Sequence, residues 1–365
     1  MTTPNTYGPV AHLSTTLDWS GAEAYALLLA EGTKDAGRDA FIVAPPESEL
    51  ARRAAAAGVP VDAAAFGWAL NPLEWFRLSR ILKQRGAAVV HAHDPKAAFL
   101  ASRMAGMTTA ASWRKGAPPA PRWRYANGVS RVLCQSKAAR AAGVRGHVPE
   151  SKLRDAPAGV DIAECRRALP NREALRKDFQ LEWFPETEKE KPLIIVAAGA
   201  LAKGKGHRRL LEAFASVLAR LPQCHLIIAG EGDEREDLER QARLLALEDD
   251  VTLPGFRDDV PELLAAADVV VAPDEAGCVG TTAMMAMAAG AAVAVTDAGG
   301  LGEVVEDGKT GRVAKAGESE GLSRVLLELL ENRGQREHLG RMAASVASKR
   351  FSRGAAVEAA LAAYP

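Results

Sequence analysis

Short, nearly continuous apolar runs alternate along this chain with longer stretches whose apolar positions follow helical spacing. In the first half, Val10–Leu13, Ala40–Ala44, Ala88–Ala92 and Arg131–Cys134 read as strands, and Ala22–Ala36, Glu47–Ala57, Pro72–Arg85 and Lys96–Gly106 as helices. Gly37 and Gly58 follow two of those helices, where a left-handed cap residue belongs. The second half repeats the rhythm. Its strands are Leu193–Ala197, His225–Ala229, Asp268–Ala272 and Ala292–Val295; its helices are His207–Arg220, Arg235–Leu247, Val260–Ala266, Thr281–Ala289 and Leu322–Asn332. Strands without polar alternation belong to parallel sheets covered on both faces. The pattern therefore predicts an α/β chain of two doubly wound, Rossmann-like domains. The expected limits are residues 1–180, a charged, proline-bearing linker at 181–192, a second domain at 193–345, and a closing segment at 346–365.

A length of 365 residues suits two domains. Lys and Arg together number 46, as do Asp and Glu, so charge gives no reason to expect nucleic-acid binding. The longest small-apolar run, Ala283–Val295, is broken by Gly290 and falls short of the ~20 residues a membrane span needs. The first residues carry no basic-then-apolar signal pattern. A cytoplasmic protein is expected, with peripheral membrane association left open. Four cysteines lie far apart and form no C-x-x-C pair, which argues against a thiolate zinc site and for a reducing compartment.

In open parallel sheets, ligands sit beyond the carboxyl ends of the strands. After Leu193–Ala197 comes Gly199-Ala-Leu-Ala-Lys203-Gly204-Lys205-Gly206, then a helix. Glycines, two lysines and free helix N–H groups suit phosphate. The pattern nearly matches G-x-x-x-x-G-K-[ST], but Gly206 stands where a P-loop needs its Mg²⁺-binding hydroxyl. A P-loop NTPase and a plain strand-to-helix turn remain alternative readings. Gly230-Glu-Gly-Asp233 follows the next strand. Pro273–Gly280 follows the one after, where Thr281 or Thr282 is placed to cap a helix. His91 and His93 share one face of their strand, without a third ligand at a recognisable spacing. No D-x-D pattern occurs.

Taken in order, Gly199–Gly206, Leu226–Glu234, Val251–Asp259, Leu263–Pro273, Ala286–Gly290 and Gly299–Gly311 resemble the family-4 (group 1) glycosyltransferases of GT-B fold. Weaker matches precede them. They are Ser20-Gly21-Ala-Glu23, Val89–His93, Trp113-Arg114-Lys115, Arg122–Tyr125, Cys134–Ser136 and Gly159–Asp161. The resemblance implies two Rossmann-like domains facing across a cleft, with the final helix near Gly354–Tyr364 crossing back to the first. It implies retaining, metal-independent sugar transfer from a nucleoside-diphosphate sugar, a UDP-sugar being favoured, to a glycan or lipid-linked hydroxyl. No further cofactor is implied. Lys205 would stabilise the leaving diphosphate. Ser20, Gly21, Gly199, Lys203, Gly230, Phe256, Arg257, Cys278, Val279, Gly280 and Thr281 would border the donor. His93, Arg114 and Lys115 would lie on the acceptor side.

The chain departs from the family where two glutamates are expected eight positions apart. Gly277 and Met285 stand there. Losing a carboxylate that binds hydroxyls removes charge-assisted bonds of ~1.5–3 kcal/mol each. Ala200 replaces an arginine, with Lys203 nearby, and Ala158 replaces an asparagine. Two functional readings follow: an active transferase with altered donor contacts, or a catalytically impaired nucleotide-sugar-binding or partner subunit.

Overall fold

The apolar runs become strands buried on both sides. In the computed structural model, which describes residues 7–67, 71–104, 106–114, 128–183 and 192–364, β1 (Val10–Leu13), β2 (Ala40–Ala44) and β4 (Val89–Ala92) are buried at every position. Together with β3 (Val61–Ala63), β5 (Thr108–Trp113), β6 (Arg131–Cys134) and β7 (Leu153–Asp155) they form a seven-stranded sheet. Its order is β3-β2-β1-β4-β5-β6-β7, and every pairing is parallel. Helices α1 (Gly21–Asp35), α2 (Glu49–Ala56), α3 (Pro72–Gln84), α4 (Pro95–Ala101) and α5 (Lys137–Arg145) connect these strands. Parallel neighbours need such crossovers, because no short turn can return the chain to the starting end.

The second sheet runs β10-β9-β8-β11-β12-β13, again wholly parallel. Its strands are β8 (Leu193–Ala198), β9 (Cys224–Ala229), β10 (Val251–Gly255), β11 (Val269–Ala272), β12 (Ala292–Thr296) and β13 (Arg312–Ala314). Between them run α8 (His207–Arg220), α9 (Arg235–Leu244), α10 (Val260–Ala266), α11 (Thr281–Ala288) and the short α12 (Leu301–Val304). The core under α8 gathers Phe214, Leu210, Leu226, Ile228 and Leu326, all fully buried. Helices α13 (Ser319–Glu331) and α14 (Arg333–Arg350) close that layer. Among the described residues, no helix is long and apolar enough to cross a membrane.

The chain divides into two units, Met1–Val160 with Arg353–Pro365, and Asp161–Ser352. The sequence reading placed the division later, at 180, and the return at 346. Helices α6 (Ile162–Arg167) and α7 (Arg172–Trp183) belong with the second unit instead, because their arginines reach into it. Arg166 donates to the Ala288 carbonyl at 3.1 Å and to Ser348 Oγ at 2.7 Å. Arg176 donates to Ala266 O, Pro192 O and Asp268 Oδ2, at 2.8 to 2.9 Å. Leu181–Trp183 are helical rather than linker, and residues 184–191 lie outside the described part.

Helix α15 (Arg353–Ala363) belongs to the first unit. It crosses α1 so closely that a Cβ at Gly32 would lie 2.4 Å from Val357 Cγ2. Arg353 pairs with Glu31 and Asp35, at 3.3 and 3.1 Å. Just beyond the helix, the Tyr364 hydroxyl meets His91 Nδ1 at 2.7 Å. His91 is one of three buried imidazoles. The register of β1 and β4 sets His12 opposite His91, and His93 follows two residues on. Ring nitrogens of the three lie within 4.8 Å of one another, so the fold supplies the third histidine that sequence spacing did not reveal. His12 Nδ1 meets His93 Nε2 at 3.0 Å, while His91 Nε2 meets Ser112 Oγ at 2.9 Å. Both His91 nitrogens are engaged by hydroxyls, whereas His12 Nε2 and His93 Nδ1 are buried without a hydrogen-bond partner.

Burial lowers all three histidines, His12 to about 3 and the other two well below 6.5. Neighbouring imidazoles and Arg114 add to the effect at His93. The unfolded chain takes up protons near pH 6.5 that the fold refuses, so stability is full above that pH and falls below it. Each group contributes up to ~1.4 kcal/mol per pH unit. Burial lowers His207 as well, so unfolding free energy is expected to drop between pH 7 and pH 5, before carboxylates titrate, and His12→Gln is expected to remove about a quarter of that slope. Urea titrations at stepped pH measure it. A second expectation concerns Asp268, whose half-buried side chain pairs with Arg176 at 2.9 Å and also accepts the Ile194 N–H. Asp268→Ala should lower unfolding free energy by ~3 kcal/mol, with Asp268→Asn recovering part of the loss.

Candidate functional site

In the second sheet, chain order reverses between β8 and β11, so the segments leaving those strands lie side by side. The first, 199–206, opens α8; the second, 273–280, opens α11. They are joined through backbone. The Gly204 carbonyl accepts N–H bonds from Glu275 at 2.8 Å and Ala276 at 3.0 Å. Gly206 sits at φ 74°, and a Cβ there would lie 1.8 Å from the Pro273 carbonyl oxygen. No other residue fits that position. Gly230, leaving β9, is held the same way: its Cβ would lie 1.9 Å from Gly199 O. Gly199 itself has open space at its Cα. The glycines expected to admit a ligand thus serve first to let neighbouring bends touch.

This contact delivers Lys205. Its ammonium lies 3.0 Å from Asp274 Oδ2. Asp274 is buried, and its own carbonyl accepts a hydrogen bond from Thr296 Oγ1 on β12. The Cys278 thiol also reaches the Asp274 carboxylate, and burial beside that charge raises it to about 11. Asp274 escaped the sequence reading; its only signal was its place, directly after Pro273 at the end of β11.

Both helices opened by these bends begin without side-chain caps. Gly206 and Gly280 are their N-cap residues, each left-handed. Thr281 and Thr282 were expected to cap α11, but Gly280 occupies the cap position, and Thr282 Oγ1 donates instead to Ala198 O at 3.0 Å. The threonine thereby ties α11 to the end of β8. The positive dipole ends of both helices lie at these bends. Val279 is buried, and Cys278 pairs with Gly299 as an isolated parallel bridge. Gly277, at φ 81°, lies so close to Gly299 that a Cβ would come within 2.9 Å of its Cα. Met285 is half-buried on α11.

A cavity of about 280 Å³ lies beside the first bend, lined by Lys203, Gly204, Gly206, Arg208, Glu234 and Glu275. Lys205 does not line it. Arg208 is bound to Glu234 and Asp237, so its charge is already compensated. Phe256 is exposed after β10, and Arg257 next to it forms a two-pronged pair with Asp259, at 2.8 and 2.6 Å.

The first unit has its own reversal point, between β1 and β4. Here side chains do the joining. Asp94 accepts from Thr15 N at 2.7 Å and Thr15 Oγ1 at 2.9 Å, and caps α4 through Lys96 N and Ala97 N. Glu23 is buried in a capping box with Ser20 and also accepts from Thr16 Oγ1 at 2.9 Å. Arg114 Nη1 donates to the Gly21 carbonyl at 2.6 Å. Ser20, Gly21, His93 and Arg114 are therefore gathered at this end of the sheet. Lys115 and 122–125 lie outside the described residues. Asp94, Ser14 and Thr15 were missed by sequence reasoning, because their pairing joins segments about 80 positions apart.

Comparison with known proteins bears on both halves. Residues 179–346 match the family described as Glycosyl transferases group 1, and residues 19–164 match Glycosyltransferase Family 4. The chain is 26% identical over 334 residues to the phosphatidyl-myo-inositol mannosyltransferase of Mycolicibacterium smegmatis, covering 86% of this chain and 81% of that protein. It is 29% identical over 168 residues to the lipopolysaccharide core biosynthesis glycosyltransferase LpsE of Rhizobium meliloti, a match spanning 46% of this chain and 48% of that one. Among solved structures, Anabaena HepE in complex with UDP and glucose superposes with a TM-score of 0.85 at 20% identity, covering 98% of this chain and 99% of that one. Two parallel-sheet units, their likeness to HepE and the two adjoining family matches agree: the chain belongs to the family-4, group 1 glycosyltransferases and has the GT-B fold.

Proposed function

We propose that the chain is a retaining, metal-independent glycosyltransferase that moves a hexosyl group from a UDP-sugar to a hydroxyl of a glycan or lipid-linked acceptor. One observation carries the reading: Lys205 and two uncapped helix N-termini are brought to the same reversal point of the second sheet. Donor cleavage breaks the bond between the anomeric carbon and the β-phosphate oxygen, and the electron pair leaves with the diphosphate. The acceptor oxygen bonds to the anomeric carbon and gives up its proton. A fixed ammonium and backbone N–H groups, aimed where negative charge grows, lower the barrier for that departure. Lys205 fills the first role, and the bend at 278–281 with the positive dipole end of α11 the second.

Gly199, Lys203 and Gly230 border the phosphates in this reading, and Phe256 and Arg257 border the base. In the first unit, Ser20 and Gly21 are assigned to the donor and Arg114 and Lys115 to the acceptor, while His93 belongs to the buried imidazole cluster. The UDP assignment draws support from the HepE structures, solved with UDP and with UDP-glucose. The acceptor class draws on relatives named for lipopolysaccharide core biosynthesis and for phosphatidyl-myo-inositol mannosylation. Such acceptors place the work at a membrane face, so peripheral association on the cytoplasmic side belongs to the proposal.

Lys205→Ala is expected to cut turnover about a hundredfold or more without unfolding the chain. Donor cleavage measured with UDP- and GDP-sugars, beside a thermal melt, checks it. Turnover equal to the parent's would remove Lys205 from the reaction. Donor binding without any turnover in the parent would instead favour a binding or partner subunit.

A further inference from the structure

We infer that Asp274 is a built-in counter-charge that holds down the affinity of the Lys205 site for diphosphate and so speeds its release. The inference rests on the reading of that site as a diphosphate site. Three observations carry it. Asp274 is buried, its Oδ2 is 3.0 Å from Lys205 Nζ, the Cys278 thiol lies beside the same carboxylate, and Thr296 Oγ1 donates to the backbone carbonyl of the residue. The Lys205 side chain, by contrast, is about one-third exposed, and its ammonium carries further donors for a ligand. The geometry then sets a bound. A phosphate oxygen bonded to Nζ at about 2.8 Å lies no more than about 6 Å from the Asp274 oxygen.

At that range two like charges near a protein surface repel appreciably. Lys205 and Asp274 together are neutral, so the lysine orients a phosphate without offering a full uncompensated charge. The repulsion grows with the charge of the ligand. Free diphosphate, formed when the sugar leaves, carries more negative charge than the donor that preceded it, so Asp274 penalises product more than donor. A site built this way keeps the directed hydrogen bond needed as the bond breaks, while avoiding a trap for the product. Asp274 acts through Lys205 and through space, which makes it a positioning residue rather than a catalytic one.

Isothermal titration of the full chain tests this with UDP, uridine and inorganic pyrophosphate, at low and at half-molar salt. Asp274→Asn should bind UDP and pyrophosphate at least about tenfold more tightly than the parent at low salt. The gain should shrink at high salt, and uridine, which carries no phosphate, should bind unchanged. Equal or weaker binding of UDP and pyrophosphate by a folded variant overturns the inference, as does an equal gain for uridine. A thermal melt reports folding, and Asp274→Ser repeats the measurement if the asparagine variant does not fold. Should neither parent nor variants bind UDP or pyrophosphate, the diphosphate reading itself falls, and the inference with it. Should the parent bind and the variants match it, only the counter-charge falls.

Discussion

A backbone contact between two bends sets the geometry around Lys205. The Gly204 carbonyl takes two N–H groups from the bend that follows β11, and Gly206 packs its bare Cα against Pro273. Nothing larger than glycine allows that approach, so the spacing is set by van der Waals contact of main chain on main chain. Lys205 lies between the two glycines, and its place opposite Asp274 follows from them. The starts of α8 and α11 are aligned by the same contact. Side chains can rotate away; a seam of peptide groups cannot, and electrostatic assistance to bond breaking depends on groups already in position.

The two units solve the same topological problem with different materials. Each parallel sheet reverses its strand order once, and each reversal leaves a gap that something must bridge. The second unit bridges it with glycines and main-chain bonds. In the first, Asp94 and Glu23 gather hydroxyls and N–H groups from the segment between β1 and α1. Carboxylates that accept several such bonds are well satisfied, and Glu23 holds Ser20 and the start of α1 in place. Farther into the same sheet, three neutral imidazoles fill the space that an aliphatic core would otherwise occupy, and Tyr364 seals them.

Much of this architecture was legible in the sequence, because strands buried on both faces leave continuous apolar runs. β1, β2 and β6, with α8 and α10, begin and end where the pattern placed them. The strands that escaped notice carry weak signals: β3, β7 and β13 have three residues each at sheet edges, β5 is rich in small polar residues, and β10 contains a proline. α4 stops at Ala101, short of the expected Gly106. The domain limit was misplaced because an amphipathic helix shows which face it buries but not against which core. At the site, Lys205 was legible from its glycine-rich bend. Asp274 was not, since an aspartate after a proline in a loop reads as turn chemistry. Its partner lies 69 positions earlier.

The close pair Gly277 and Gly299 has a consequence for how this loop can change over time. Each glycine occupies the room that a side chain on the other would need: a Cβ at 299 would come within 2.6 Å of the Gly277 Cα, just as one at 277 would strike Gly299. Neither position can acquire a side chain by a single step while the other stays put, and their backbones are further tied by the Cys278–Gly299 bridge. A carboxylate at 277 is therefore separated from this chain by a backbone rearrangement rather than by one codon. Descendants of this sequence inherit the arrangement as a lock, and a designer wishing to install an acid there must first rebuild the turn at 298–300.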